Sequence, residues 1–145
     1  MVGAGRVGAP GVLAAAERLG WRVEPRAWSL AAEPAWLAGV SVGVAPLPDT
    51  EWTRYKCGLR VLQTLAAGAP VVASPVGVQA DFGAEAPEAV LLARTAREWT
   101  ATLARLRADE PGRLRAGQAG RRFVEARYSV RAWAPRIAAL LREET

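Results

Sequence analysis

The stretch ending in Lys56-Cys57-Gly58 is where residue types and spacing best support chemistry on an anion. The run Val44-Ala45-Pro46-Leu47-Pro48-Asp49-Thr50-Glu51-Trp52-Thr53-Arg54-Tyr55-Lys56-Cys57-Gly58 joins an apolar strand signal to an apolar-periodic helix. In an open parallel sheet, ligands bind just beyond the carboxyl ends of the strands, so this loop is in the right place for one. A helix starting at Gly58 offers N–H groups without intrahelical partners and the positive end of its dipole. Gly58 permits close approach, and Lys56 adds a full charge. The pattern suits a diphosphate. A structural role is equally open, in which Trp52 and Tyr55 plug the loop against the sheet.

A second pattern lies at the start of the chain. Gly3-Ala4-Gly5-Arg6-Val7-Gly8 matches G-x-G-x-x-G, and Glu24 follows Gly3 by 21 residues. This is the layout of a dinucleotide site, with pyrophosphate on a helix N-terminus and an acid on the ribose. An NAD-type domain using Gly3, Gly5, Gly8 and Glu24 is therefore an alternative. Only Met1 and Val2 precede Gly3, however, so the strand that should aim the loop is nearly absent. An ordinary strand-to-helix turn satisfies the same residues. Cys57 has no base partner and reads as incidental or packed.

Histidine is absent, which excludes a Ser-His-Asp triad, a Cys-His pair and any histidine metal site within these residues. No metal and no cofactor are expected. The single cysteine forbids an internal disulfide.

The elements that must position these groups alternate between strand and helix signals. Met1 to Ala4 reads as the tail of a strand, Val12 to Leu19 as a helix closed by Gly20, and Trp21 to Glu24 as a short strand. Leu30 to Leu37 is a weak helix interrupted by Pro34. Val40, Val42 and Val44 mark a buried strand. A loop from Pro46 to Cys57 precedes a helix over Gly58 to Ala67, with Leu59, Leu62 and Leu65 as its apolar face and Gly68-Ala69-Pro70 as its stop. Pro70 to Ser74 is another strand, Pro75-Val76-Gly77 a loop, and Ala89 to Ala93 a further short strand.

From Thr95 onward only helices are expected, a tail over 95–145 belonging to the same domain. Thr95 and Glu98 are spaced as a capping box, with Trp99, Leu103 and Leu106 as the buried stripe. Asp109 and Pro111 open the next helix. Ser129 caps the last, with Val130, Trp133, Ile137, Leu140 and Leu141 inward and Pro135 as a kink. Strands separated by helices imply an α/β fold, a parallel sheet with helices on both faces.

Composition bounds the rest. The chain has 145 residues and is 51% hydrophobic, enough for one packed domain. Residues 1–93 hold seven basic and eight acidic groups, and residues 94–145 hold twelve and six. The arginines of the second part alternate with alanines and acids at helical spacing, as on solvated faces, so no nucleic-acid partner is expected. The longest uncharged stretch, Val61 to Ala80, is broken by Gly68, Pro70, Pro75 and Gly77 and does not read as a membrane span. No targeting segment is evident, and a cytoplasmic location is expected.

The run from Gly43 to Gly77 resembles the donor-binding region of retaining GT-B glycosyltransferases of family 4, or group 1. The tail is similar to theirs at Glu98-Trp99, Gly120-Arg121-Arg122-Phe123-Val124-Glu125 and Tyr128-Ser129. The resemblance spans about Val2 to Leu141. It implies a Rossmann-like C-terminal domain that holds a nucleotide-diphosphate sugar, facing an N-terminal domain that holds the acceptor. It also implies transfer of a hexosyl group with retention at the anomeric carbon. By resemblance, the diphosphate sits over Gly58 and Leu59 with Lys56 nearby, and Asp49 and Thr50 line the cleft.

Two glutamates of the family, eight positions apart, fall here on Tyr55 and Gln63. Gln63 retains hydrogen bonding to a ribose without charge assistance. Arg26-Ala27-Trp28 matches the segment that holds the base, largely through backbone. The resemblance further implies that the chain, residues 1–145, is one truncated domain, lacking its first strand and helix and the acceptor domain. Negligible turnover is then expected of it alone, since a half-cleft cannot position the acceptor or stabilise the leaving diphosphate. Contact of the full enzyme with a membrane surface stays open. So does a non-catalytic module that binds nucleotide or docks on a separately encoded acceptor domain.

Overall fold

Parallel pairing buries a strand on both faces, and this requirement organises the chain from Val40 onward. A computed structural model describes Arg22, Glu24, Ala27 and residues 29–143. The chain divides into two compact units, Met1–Gly39 and Val40–Thr145. The strand tail at Met1 to Ala4, the helix over Val12 to Leu19, Gly3, Gly5, Gly8, Arg26 and Trp28 lie outside the described residues, as does most of the strand over Trp21 to Glu24.

In the first unit, helix α1 is Glu33–Ala38. Pro34 does not interrupt it, contrary to expectation. It lies in the first turn, where its missing N–H has no intrahelical carbonyl to lose. Arg22 and Glu24 form an exposed ion pair at 2.8 Å.

The second unit is a three-stranded sheet of β1 (Gly43–Ala45), β2 (Val71–Ala73) and β3 (Val90–Leu92), in that spatial order and all parallel. Val44 pairs with Val72, and Val72 with Leu91. Strand β1 is shorter than the valine pattern from Val40 suggests. Its ladder begins where the Gly43 N–H reaches the Pro70 carbonyl at 2.9 Å, and Pro70 has no N–H to extend it.

The central strand, β2, is buried throughout, and its side chains alternate between two cores. Val71 and Ala73 join Val61, Leu65, Phe82, Val90 and Val124 on one face. Val72 joins Ala93 and Leu106 on the other, where Trp99 and Leu103 pack partly buried. The first core is supplied by α3 (Leu59–Ala66), α4 (Val78–Glu85) and α6 (Glu110–Arg127), the second by α5 (Ala96–Ala108). The expected parallel sheet with helices on both faces is thus observed.

Of the three leucines that mark the face of α3, Leu65 and Leu62 turn inward and Leu59 does not. Val61, Thr64 and Leu65 are buried and Leu62 half-buried, whereas Leu59 is 57% exposed. At about 100° per residue, Leu59 lies some 200° around the helix from Val61 and cannot share its face. Helix α4 has no counterpart among the expected elements. It contributes Phe82, whose ring meets Phe123 and Tyr128 edge-on at centroid distances of 6.3 and 5.5 Å. Gly83 lets α4 approach β3, since a Cβ there would fall 2.6 Å from Leu92.

The helical tail follows its local signals. Thr95 Oγ1 accepts from the Glu98 N–H at 3.2 Å, while Glu98 Oε2 accepts from the Arg94 and Thr95 amides at 2.6 and 3.3 Å. These amides hold the Glu98 carboxyl below the usual carboxylate range. Because the folded pKa is depressed, the stabilisation is complete above the ordinary glutamate pKa of about 4.3 and is lost as the pH falls through the lower folded value. Thr95→Ala is expected to lower stability by about 1 kcal/mol in urea unfolding. The stability difference between wild type and Glu98→Gln should be present at neutral pH and close below about pH 4. A difference that persists unchanged in acid would contradict this cap.

Asp109 caps α6 by accepting from the Gly112 N–H at 2.8 Å, with Pro111 in the first turn, as expected. Helix α7 (Val130–Glu143) begins at Ser129, whose Oγ accepts from the Ala132 N–H at 3.2 Å, and runs through Pro135. Its apolar residues do not face inward. Val130, Trp133, Ile137, Leu140 and Leu141 are all exposed, from 44% at Trp133 to 83% at Val130. Their periodicity marks a face that this unit leaves uncovered.

Candidate functional site

Three parallel strands deliver their following loops to one edge of the sheet. The loops after β1 and β2 are knit together there. Leu47 N–H donates to Ser74 Oγ at 3.0 Å, and Ser74 N–H donates to the Ala45 carbonyl at 3.2 Å. Buried Gln79, with its amide nitrogen turned inward, donates to the Ser74 and Ala45 carbonyls at 3.0 and 3.1 Å. Gly77, with φ +53°, closes against this edge, where a Cβ would collide with the Arg54 carbonyl.

The loop after β1 contains a short helix, α2 (Glu51–Arg54), that the expected structureless connection lacks. A reciprocal threonine cap makes it: Thr50 N–H donates to Thr53 Oγ1 at 3.0 Å, and Thr53 N–H to Thr50 Oγ1 at 3.3 Å. Thr53 also donates its hydroxyl to the Pro48 carbonyl and is buried. Asp49 receives two hydrogen bonds from Arg54, from Nε at 2.7 Å and Nη2 at 3.1 Å. The Arg54 guanidinium holds the Asp49 carboxyl below its usual range, and the carboxylate raises Arg54 in turn. Asp49 and Thr50, the residues expected along a cleft, therefore also shape the loop from within.

Trp52 and Tyr55 do not plug the loop against the sheet. Their side chains stand 76% and 83% exposed, so the structural alternative for this segment fails. Lys56 Nζ lies 6.0 Å from the centroid of the Trp52 ring, within reach of its negative face. No described carboxylate pairs with Lys56. Cys57 is exposed.

Gly58 is the pivot between this loop and α3. It takes φ +67° at the N-cap position, a conformation that favours glycine, and lies on α4: a Cβ would come within 2.6 Å of Phe82 Cε2 and 2.9 Å of Val78 Cγ1. Leu59 is exposed in the first turn, and Gln63 is half-buried one turn on.

The helix starts differ in their caps. Thr50, Thr95 and Asp109 cap α2, α5 and α6 with side-chain oxygens. Helices α3 and α4 start from Gly58 and Gly77 with no side-chain cap, although α2 and α5 begin at the same carboxyl edge. The first turn of α4 carries Asp81, while that of α3 carries no acid. The α3 start, between Lys56 and Arg60, is electrostatically the better anion site. Ser74, Gly77 and Gln79, which build its neighbourhood, were not singled out from the sequence. The available signal was Ser74-Pro75-Val76-Gly77 directly after a buried strand.

Among the described residues no group of His, Cys, Asp or Glu side chains is arranged to hold a metal. Glu24, the acid of the dinucleotide alternative, is paired with Arg22. A family model described as glycosyl transferase-like matches residues 14–139. No curated protein and no solved structure matches the chain.

Proposed function

This chain belongs to the glycosyl transferase-like family, and on that premise we propose that it is the donor-binding domain of a retaining GT-B glycosyltransferase of family 4. Family membership carries glycosyl transfer in general. The observation that supports a donor site is the start of α3 at the carboxyl edge, set by a left-handed Gly58, with no side-chain cap and no acid in its first turn.

In this reading the diphosphate lies over Gly58 and Leu59, and Lys56 pairs with its charge. Gln63 hydrogen-bonds a ribose hydroxyl. Tyr55 borders the sugar, Asp49 and Thr50 hold the loop in shape at the cleft, and Arg26 and Trp28 belong to the base-binding segment. The reaction breaks the bond between the anomeric carbon and a diphosphate oxygen. An acceptor hydroxyl oxygen forms the new bond on the same face, and its proton leaves with the diphosphate. The helix dipole and Lys56 stabilise the charge that grows on the leaving diphosphate. The acceptor is held by a second, N-terminal domain.

The test is titration with UDP- and GDP-sugars against NADH, read by amide exchange over Gly58 to Leu62. A sugar nucleotide is expected to protect these amides, and Lys56→Ala to weaken binding by roughly ten- to 150-fold, since a charge-assisted contact is worth about 1.5–3 kcal/mol. Protection by NADH, or sugar nucleotides that leave these amides unchanged, would sink the reading.

A further inference from the structure

The chain has one lysine among its 19 basic residues, and it stands two positions before Gly58. An ammonium is a compact charge on a flexible four-carbon stem, and an anion that captures it must first gather its rotamers. Trp52 limits that freedom. Lys56 Nζ lies 6.0 Å from the centroid of its ring, the outer reach at which the negative face attracts a cation. No described carboxylate competes for the ammonium. The backbone sets both ends of this contact. The Lys56 N–H donates to the Thr53 carbonyl at 3.3 Å and continues the turn of α2. Lys56 therefore follows Trp52 by one helical turn, the spacing at which side chains meet. Behind the ring α2 is anchored, since Thr53 is buried and bonded to Pro48, and Arg54 grips Asp49 through two hydrogen bonds. Trp52 itself is exposed and belongs to neither core.

We propose that Trp52 is a positioning residue for the donor: its ring holds the Lys56 ammonium in place before the diphosphate arrives. The inference rests on the donor reading of the α3 start. The ring occupies one side of the ammonium and leaves N–H groups on the other side for diphosphate oxygens. A neutral indole attracts the cation without neutralising it. A carboxylate in the same place would cancel the charge that the leaving diphosphate needs. Holding the stem in advance removes part of its ordering cost from the binding step. Trp52 touches no reacting atom in this scheme and acts through Lys56 alone. A ring that stacked on the base or sugar of the donor would act without Lys56, and the two cases separate experimentally.

A sole lysine makes the contact directly visible by magnetic resonance, because labelled lysine gives a single ε-methylene signal. In the ligand-free 145-residue chain this signal is expected upfield of its free-lysine position, through the ring current of Trp52. Trp52→Leu should return it to that position, and Trp52→Phe should keep part of the displacement. Titration with UDP- and GDP-sugars then completes a double-mutant cycle. Trp52→Leu should weaken binding roughly two- to fivefold, the worth of an exposed cation–π contact, with Trp52→Phe between it and wild type. In a Lys56→Ala background, Trp52→Leu should change nothing further. Melting temperature should stay unchanged, since both side chains are exposed. The proposal is overturned by a wild-type signal at the free-lysine position, or by a Trp52→Leu loss that persists without Lys56. It falls alone if Lys56→Ala weakens binding and Trp52→Leu does not. If no sugar nucleotide binds, the donor reading falls and takes the proposal with it.

Discussion

Phe82→Ala is expected to lower stability by about 3–5 kcal/mol, the usual range for deleting a buried aromatic ring. Phe82 is 1% exposed, belongs to the larger core and stacks edge-on against Phe123 and Tyr128. Its removal forfeits the burial of the ring and leaves a cavity in the core that Phe82 shares with residues of β2, α3 and α6. In a chain of this size the melting point should fall by roughly 10–16 °C. Urea unfolding is the direct measurement, and a loss below about 1 kcal/mol would mean that the cluster is not packed as described.

Gly58→Ala is expected to impair both folding and donor binding. The left-handed backbone at φ +67° adds about 1–2 kcal/mol for any residue with a Cβ. The Cβ also meets Phe82 and Val78 at 2.6 and 2.9 Å, and overpacking of that kind typically adds about 1–3 kcal/mol. Moving the backbone to relieve either conflict displaces the start of α3, so affinity for a sugar nucleotide should drop at least tenfold, about 1.4 kcal/mol. The two substitutions are coupled. In a Phe82→Ala background the collision with Phe82 disappears while that with Val78 and the backbone strain stay, so Gly58→Ala should be milder there by about 1 kcal/mol. Strict additivity across the four variants would show that Gly58 does not rest on Phe82.

The parts of this architecture that were legible in the sequence are those decided within a few residues. The Thr95–Glu98 box and the Asp109–Pro111 start are closed by side chains three or four positions from the amides they satisfy, so spacing alone specifies them. Strand β2 was legible because a run of small and branched apolar residues between Pro70 and Pro75 admits little else. Helix α4 was not. It contributes one large core residue, Phe82, and its Gly83 serves a close approach to Leu92 that no local rule anticipates. The Thr50–Thr53 cap of α2 has the spacing of a capping box but lacks the acid that usually advertises one.

For the candidate site, the sequence by itself determined that a loop ending in Lys56-Cys57-Gly58 leads from a buried strand into a helix. Local chemistry suffices for that, since glycine and a helix start carry their own signals. Tertiary structure alone decided that Trp52 and Tyr55 face outward, that Gly58 rests on Phe82, and that the Ser74–Gly77 loop closes beside it. Each depends on contacts between segments separated by some twenty residues or more. The same distinction governs the two amphipathic helices. Periodicity in α3 and α7 marks an apolar face, but what covers that face is a property of neighbours. In α3 the neighbours select Val61 and Leu65 over Leu59, and in α7 they leave the whole stripe open. Burial is a relation between elements, and a single helix encodes only its own half of it.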